Sequence, residues 1–192
     1  MENSEHQPDQ QVDPSELRFA SFTVRAAARV IDLFVLFPIS ALAAYFTLFE
    51  PSLSIVLLLA LLDAAYKPIM ESVYGWTIGK RVMKLKVISQ YDLGPIDFNQ
   101  SLMRFLPWAL VFCVTVFLNT RYFQDPNFTE IEDLETYLQF LQDHPLSQNF
   151  FVGVIQYLPL FSAMFVFSDP FRRALHDRLA KTYCVYNNDQ FQ

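Results

Sequence analysis

Four long apolar runs alternate with polar connections along the chain. They lie at about residues 30–49, 53–66, 105–118 and 150–167. A helix needs roughly 20 residues to cross the ~30 Å hydrocarbon core of a bilayer, so the shorter runs must take in neighbouring polar residues. We predict four transmembrane helices at about residues 27–49, 52–74, 102–120 and 149–168.

Each of these segments contains one proline near or inside its apolar run: Pro38, Pro68, Pro107 and Pro159. Proline breaks the interior of a soluble helix because it removes a hydrogen bond and clashes with the preceding turn. In a membrane helix it is tolerated, since neighbouring helices satisfy the freed carbonyl groups. The prolines therefore favour membrane spans over soluble core helices.

Basic residues occur in alternate connections of this four-span pattern. The connection between spans one and two has none, and the one between spans three and four has only Arg121. Lys and Arg concentrate on the cytoplasmic side of membrane proteins. We therefore predict a multi-pass protein of the cell (inner) membrane with both termini cytoplasmic. The remaining bases lie before the first apolar run (Arg18, Arg25, Arg29), between the second and third runs (Lys80, Arg81, Lys84, Lys86 and, at the edge, Arg104) and after the fourth run (Arg172, Arg173, Arg178, Lys181).

The composition agrees with a membrane protein and excludes some functions. Hydrophobic residues make up 53% of the 192 residues and charged residues only 18%, against about a quarter charged in soluble domains. The net charge of −6, without a dominant basic patch, argues against nucleic-acid binding. No hydrolase, nucleotide-binding or metal-binding motif occurs, so we expect no enzymatic activity, no cofactor and no metal.

The connections carry two further predicted elements. The stretch "VMKLKVIS", followed by the turn "DLGP", predicts a short cytoplasmic strand–turn element. The acidic loop at 121–148 is predicted to be external and to hold an amphipathic helix, because four apolar residues share one helical face: Ile131, Leu134, Leu138 and Leu141. Thr129 and Glu132 have the spacing of a capping box at its start.

The chain divides into one domain and two tails. Residues 1–17 are acidic and almost without apolar side chains, which predicts a disordered cytoplasmic tail. Residues 18–186 form the predicted four-helix membrane domain, and residues 187–192 are a short tail.

Three stretches in order resemble the RDD family of small integral membrane proteins: "RAAARVIDLF", then "GWTIGKRVMKLKVIS" followed by "GP" and "SLMRFL", and finally "FRRALHDRLAKTYCV". By this resemblance, Arg25 is the family arginine, with Arg29 a near competitor, and Asp32 and Asp177 are the two family aspartates. The resemblance implies transport of an unidentified ligand, with sodium–proton exchange proposed for some members. The long acidic loop departs from the family pattern.

Charged residues within the first two spans are predicted to meet. Arg25, Arg29 and Asp32 share one face of span one, and Asp63, Lys67 and Glu71 share one face of span two. A short turn joins these spans, so they should be antiparallel neighbours. The resulting cytoplasmic-side cluster would place Arg25 and Arg29 near Glu71, with Asp63 above it.

Asp177 is expected on a helix docked under the bundle, where it would meet Arg25 or Arg81. Arg173 and Lys181 lie four residues on either side of it, at the spacing of helical ion pairs.

Two functions fit these residues. In the first, the protein transports an ion or small solute. Asp32, Asp63 and Glu71 would exchange a proton or sodium ion, with Arg25 and Lys67 setting their charge, and the small number of spans favours a homodimer. In the second, the protein is a membrane scaffold or accessory subunit that binds a protein partner. Paired charges inside a membrane also serve as structural links between helices, and this alternative stays open for the cluster.

Overall fold

The computed structural model describes residues 17–187. The predicted tails lie outside this range except at Leu17 and Asn187. The four long helices are α1 (Phe22–Leu48), α2 (Leu53–Tyr74), α4 (Phe98–Tyr122) and α6 (Phe150–Met164). The shorter elements are α3 (Ile78–Val82), β1 (Leu85–Ser89), α5 (Leu134–Asp143), α7 (Leu175–Leu179), β2 (Thr182–Tyr186) and the 3₁₀ helices Pro126–Glu130 and Phe165–Phe167.

Four helices of the described chain are long and apolar enough to cross a membrane, the fourth of them running on through the 3₁₀ turn to Phe167. Their outer faces carry large apolar side chains, among them Phe34 (76% exposed) and Phe151 (74% exposed). Extended apolar surface of this kind suits helices that face lipid. The protein is therefore a mostly helical membrane protein with four candidate spans, as predicted.

The four spans pack in a row. α1 packs on α2, α2 on α4 and α4 on α6, whereas no comparable packing joins α1 to α6 within residues 17–187. The two outer helices of the row are thus separated by a gap. At one end of this gap the rings of Phe22 and Phe167 meet, with their centroids 4.9 Å apart.

The third span begins earlier than predicted, at Phe98 instead of about residue 102. The reason is a capping box. The backbone N–H of Gln100 donates to Asp97 Oδ1 (2.6 Å), and the backbone N–H of Asp97 donates to Gln100 Oε1 (3.2 Å). This start places Arg104 well inside α4.

A two-stranded antiparallel sheet closes one end of the helix row. β1 lies within the predicted strand segment, and it pairs with β2, which was not predicted. Leu17, which we assigned to the tail, is buried against Ile88 and Tyr183. The backbone N–H of Ala20 donates to the carbonyl of Cys184 (2.9 Å). Both ends of the described chain therefore meet here, at what we call the sheet end.

The helix predicted in the acidic loop is present, but its start was predicted wrongly. α5 begins after Asp133, whose carboxylate accepts a hydrogen bond from the backbone N–H of Thr136 (2.8 Å). Thr129 lies instead in the preceding 3₁₀ helix, Pro126–Glu130. That short helix buries Phe128 against the end of α4. The prediction of one continuous helix did not include this contact.

Candidate functional site

A sharp reversal after α2 brings α3 across α1. Gly75 directly follows α2 and caps it in a left-handed conformation, with a φ of 77°, and its backbone N–H donates to the carbonyl of Glu71 (2.9 Å). The chain then enters α3, where Gly79 lies directly on the backbone of α1. A Cβ at Gly79 would overlap the carbonyl oxygen of Ala28. Glycine at this position is therefore what allows α3 to dock on α1.

Asp32 holds this docked arrangement in place. Its carboxylate accepts hydrogen bonds from the backbone N–H of Gly79 (2.7 Å), from the hydroxyl of Thr77 (2.7 Å) and from the hydroxyl of Tyr66 (2.9 Å). The side chain is buried, and no Lys or Arg of the described residues lies within ion-pair distance of it. Asp32 thus links α1, α2 and α3 through neutral donors.

Arg104 lies at the centre of a buried chain of charges that joins α2, α4 and α7. Its Nε donates to Glu71 Oε2 (2.8 Å), and its Nη1 donates to Asp177 Oδ1. Lys80 forms a second ion pair with Glu71, and Arg25 forms a second one with Asp177. Three cations and two carboxylates therefore alternate across the sheet end of the bundle.

Arg25 and Asp177, which match the family arginine and the second family aspartate, contact each other directly. Arg25 Nη1 donates to Asp177 Oδ2 (2.5 Å), and its Nη2 donates to the carbonyl of Arg172 (2.7 Å). Burial by itself would raise the pKa of Asp177, but the guanidinium groups of Arg104 and Arg25 outweigh this and hold the pKa well below its usual range. Asp177 is therefore ionised, and it ties the segment after span four to the start of span one.

The same chain of contacts continues into β2 and α6. Arg104 Nη1 also donates to the hydroxyl of Thr182 (2.6 Å), and Nδ1 of His176 lies 2.8 Å from the hydroxyl of Ser162. Burial, together with the cations Lys67 and Arg104, holds the pKa of His176 well below its usual value despite the neighbouring Asp177. The imidazole is neutral near pH 7 and joins α7 to α6.

Two cavities of about 350 Å³ each adjoin these charges. The lateral cavity lies between α1 and α6, and the central cavity lies among α1, α2 and α4. Arg29, Lys67 and Trp108 line both, and Asp63 lines the central one. The Lys67 ammonium lies over the Trp108 ring, 3.0 Å from its centroid, and the polar groups of Arg29, Lys67 and Asp63 make no hydrogen bond or ion pair within residues 17–187.

The predicted cluster forms, but with different partners. Five of the predicted residues line the lateral cavity: Arg25, Arg29, Asp32, Lys67 and Glu71. The predicted proximity of Arg25 and Arg29 to Glu71 does not lead to pairing, because Glu71 is taken by Arg104 and Lys80.

Of the two partners proposed for Asp177, the structure has Arg25 and not Arg81. The helical pairs of Asp177 with Arg173 and Lys181 were wrong, because α7 spans only Leu175–Leu179. Arg173 pairs instead with Asp169, at 3.1 Å. The pKa of Asp169 is lowered, because the hydrogen bonds and charge of Arg173 outweigh the raising effect of burial.

The main residue that sequence reasoning missed is Arg104. Arg104 lies at the edge of the third apolar run, and from the sequence alone it contributes only to the count of cytoplasmic bases. The capping box "DFNQ" at 97–100 was the available signal. A helix begun there carries Arg104 inward, where it is the one base between the capping box and Arg121.

Comparisons with known proteins identify a family and nothing more specific. A family model described as the RDD family matches residues 19–181, most of the chain. No curated protein and no solved structure matches the chain. Within residues 17–187, no group of three or more His, Cys, Asp or Glu side chains is placed to hold a metal ion.

Proposed function

The chain belongs to the RDD family, and from that premise we propose that it moves an ion or small solute across the membrane with Asp63 as the proton-carrying group. The observation that carries this proposal is the contrast among the three predicted exchange carboxylates. Asp32 accepts three internal hydrogen bonds and Glu71 has two cationic partners, whereas Asp63 has no donor within the described residues.

This contrast supports a division of roles. Binding a transported ion at Asp32 or Glu71 would break contacts that hold α3 and α4 in place. Asp63 is half-buried and lines the central cavity without such a role. Ionisable residues inside a membrane are costly and mark ion or substrate paths. We therefore assign proton or sodium exchange to Asp63, with Lys67 and Arg29 setting the local charge.

The predicted orientation belongs to the same proposal. We place the sheet end in the cytoplasm of a cell with an inner membrane, on the basis of the alternating basic residues. A homodimer also stays a prediction. It is supported by the row of four spans, which encloses little space on its own.

Flux in reconstituted liposomes tests the transport proposal. Purified protein would be placed in vesicles loaded with a pH-sensitive dye, and a pH gradient would be imposed with and without sodium. The wild type should dissipate the gradient faster than protein-free vesicles, and Asp63→Asn should not. The matched control is Asp92→Asn, which removes an exposed carboxylate outside the spans. Equal rates for wild type and Asp63→Asn would refute the assignment.

A scaffold function is the second candidate, and one observation favours it. α5 exposes Leu134 (58%) and Leu138 (51%) on one face, at a spacing suited to a docked partner helix. Leu134→Gln/Leu138→Gln should then release any protein that co-purifies from native membranes, whereas Glu135→Gln should not. An unchanged set of co-purifying proteins would remove this candidate.

A further inference from the structure

The gap between α1 and α6 connects the lateral cavity with the lipid around the protein. α1 supplies Phe22 to its wall, and α6 with the following turn supplies Pro159, Leu160, Ala163 and Val166. Leu160 is more than half exposed on the outside of the row. The opening is therefore apolar and continuous with the bilayer, so an acyl chain can lie in it without losing hydrocarbon contacts.

The inner wall of the same cavity is cationic. Arg25, Lys80 and Arg104 each form ion pairs with Glu71 or Asp177. These partners leave Arg29 and Lys67 without a carboxylate oxygen within 4.0 Å among residues 17–187. Asp32 also lines this cavity and has no ion-pair partner within the same residues, but it accepts three hydrogen bonds from neutral donors. With Asp32 counted, the five cations of the cavity wall still outnumber the three carboxylates that line it or pair with its cations: Arg25, Arg29, Lys67, Lys80 and Arg104 against Asp32, Glu71 and Asp177. The lateral cavity thus holds positive charge that its own walls do not balance.

The depth of these two cations suits a headgroup at the membrane surface. Arg29 and Lys67 each lie seven residues from the helix end at the sheet end, which is about 10 Å along the axis at ~1.5 Å per residue. α1 is 27 residues long, or about 40 Å, and therefore extends about 5 Å beyond each side of a ~30 Å core. The long side chain of Arg29 can reach the interface from that depth.

We propose that the lateral cavity binds an anionic phospholipid from the leaflet at the sheet end. The headgroup phosphate would contact Arg29 and Lys67, and an acyl chain would lie in the gap between α1 and α6. Basic pockets between transmembrane helices suit such headgroups, and a volume of about 350 Å³ lies within the range of small-molecule sites. This binding does not depend on the transport proposal.

Trp108 gives a direct test, because it lines the cavity and contacts Lys67. The chain has two tryptophans, so Trp76→Phe leaves Trp108 as the only tryptophan, which is excited selectively at the red edge of the absorption band. The protein would be reconstituted in phosphatidylcholine vesicles that contain either brominated phosphatidylglycerol or brominated phosphatidylcholine, whose bromines quench on contact. Phosphatidylglycerol should reach half-maximal quenching at about a tenfold lower mole fraction.

Charge variants locate the site. In the Trp76→Phe background, Arg29→Gln/Lys67→Gln should abolish the tenfold preference. Arg81→Gln/Lys84→Gln removes the same charge from exposed positions at the same end and should keep it. If the first double variant does not fold, Arg29→Gln alone serves, because this exposed side chain makes no hydrogen bond within residues 17–187 and its loss should reduce the preference about threefold.

Three results would overturn the proposal. The first is equal quenching by both lipids in the parent protein. The second is quenching of Trp108 by inorganic phosphate at constant ionic strength without any preference among lipids, which would make the ligand a soluble anion. The third is a dimer without bound phosphatidylglycerol in native mass spectrometry of the same samples, whose two copies cross-link through Leu160→Cys, which would make the gap an interface between two copies. Phosphatidylglycerol adducts that are lost in Arg29→Gln/Lys67→Gln would support it.

Discussion

Replacing Arg104 by methionine should destabilise the protein more than any other single neutral substitution at the sheet end. The side chain is 1% exposed and bridges the carboxylates of Glu71 and Asp177. Methionine fills a similar length but leaves Glu71 with Lys80 alone and Asp177 with Arg25 alone.

The expected loss follows from these remaining partners. Removing one member of a buried ion pair costs about 3–5 kcal/mol, because the other charge stays buried without its partner. Arg104 serves two carboxylates, but each keeps one cation, so we expect about 4 kcal/mol in total, or roughly a thousandfold in the folding equilibrium. Arg104→Lys keeps the charge but cannot reach both carboxylates with one compact head group, and should lose about half as much.

Unfolding of the purified protein in bicelles of neutral lipid measures these losses. Increasing fractions of sodium dodecyl sulfate would be added, and tryptophan fluorescence and helical circular dichroism would be followed together. Arg121→Met is the matched control, since Arg121 is an exposed arginine in the last turn of the same helix. It should change the unfolding free energy by less than about 0.5 kcal/mol.

A double variant separates the ion pair from packing. Glu71→Gln/Arg104→Met removes both partners of one pair, so it should be less destabilised than the sum of the single variants by at least about 1 kcal/mol. If Arg104→Met unfolds within about 1 kcal/mol of wild type, or if the two single losses add without coupling, Arg104 does not organise the bundle as argued.

Three further outcomes are expected. Gly79→Ala should destabilise the protein by about 2 kcal/mol, because the added Cβ would meet the backbone of α1. Gly153→Ala is the control, since its Cβ would have open space, and it should be neutral or stabilising in the same thermal unfolding experiment. Burial lowers the pKa of His176 in the folded state, so the unfolded chain binds more protons below about pH 6.5 and the free energy of unfolding should fall toward lower pH. Denaturation at pH 7 and pH 5 measures this fall, which should be smaller in His176→Gln. Val87→Cys should form a disulfide with Cys184 under mild oxidation, since the two face each other across the sheet, and the absence of this cross-link by mass spectrometry would contradict the strand register.

The membrane spans were predictable because their determinants are local. Apolar length is a property of a single helix, and the four observed helices follow it. β1 was likewise predictable from its own alternation of side chains. Its partner β2 was not, because the two strands are separated by the whole of α4 and α6 and pair only in the folded protein.

The candidate site also has features that are local to one segment and features that arise only in the folded protein. Asp32 and Glu71 stood out in the sequence because carboxylates inside apolar segments require partners. Asp177 stood out through the resemblance to the RDD family. For Asp177 the sequence left two partners open, Arg25 and Arg81, and for Glu71 it missed both partners. The choice depends on how helices from distant parts of the chain rotate against one another. Arg104, for example, reaches Glu71 only because the early capping box extends α4 toward the sheet end.

By itself, the sequence determined that this chain has four apolar spans and that charged groups gather near the start of the first. The physical reason is that hydrocarbon length and the energetic cost of buried charge are properties of each segment. The tertiary structure alone decided which charges neutralise each other and which do not. Glu71 and Asp177 pair with Arg25, Lys80 and Arg104 through contacts among five elements, α1, α2, α3, α4 and α7. That pairing leaves Arg29 and Lys67 facing the gap between α1 and α6.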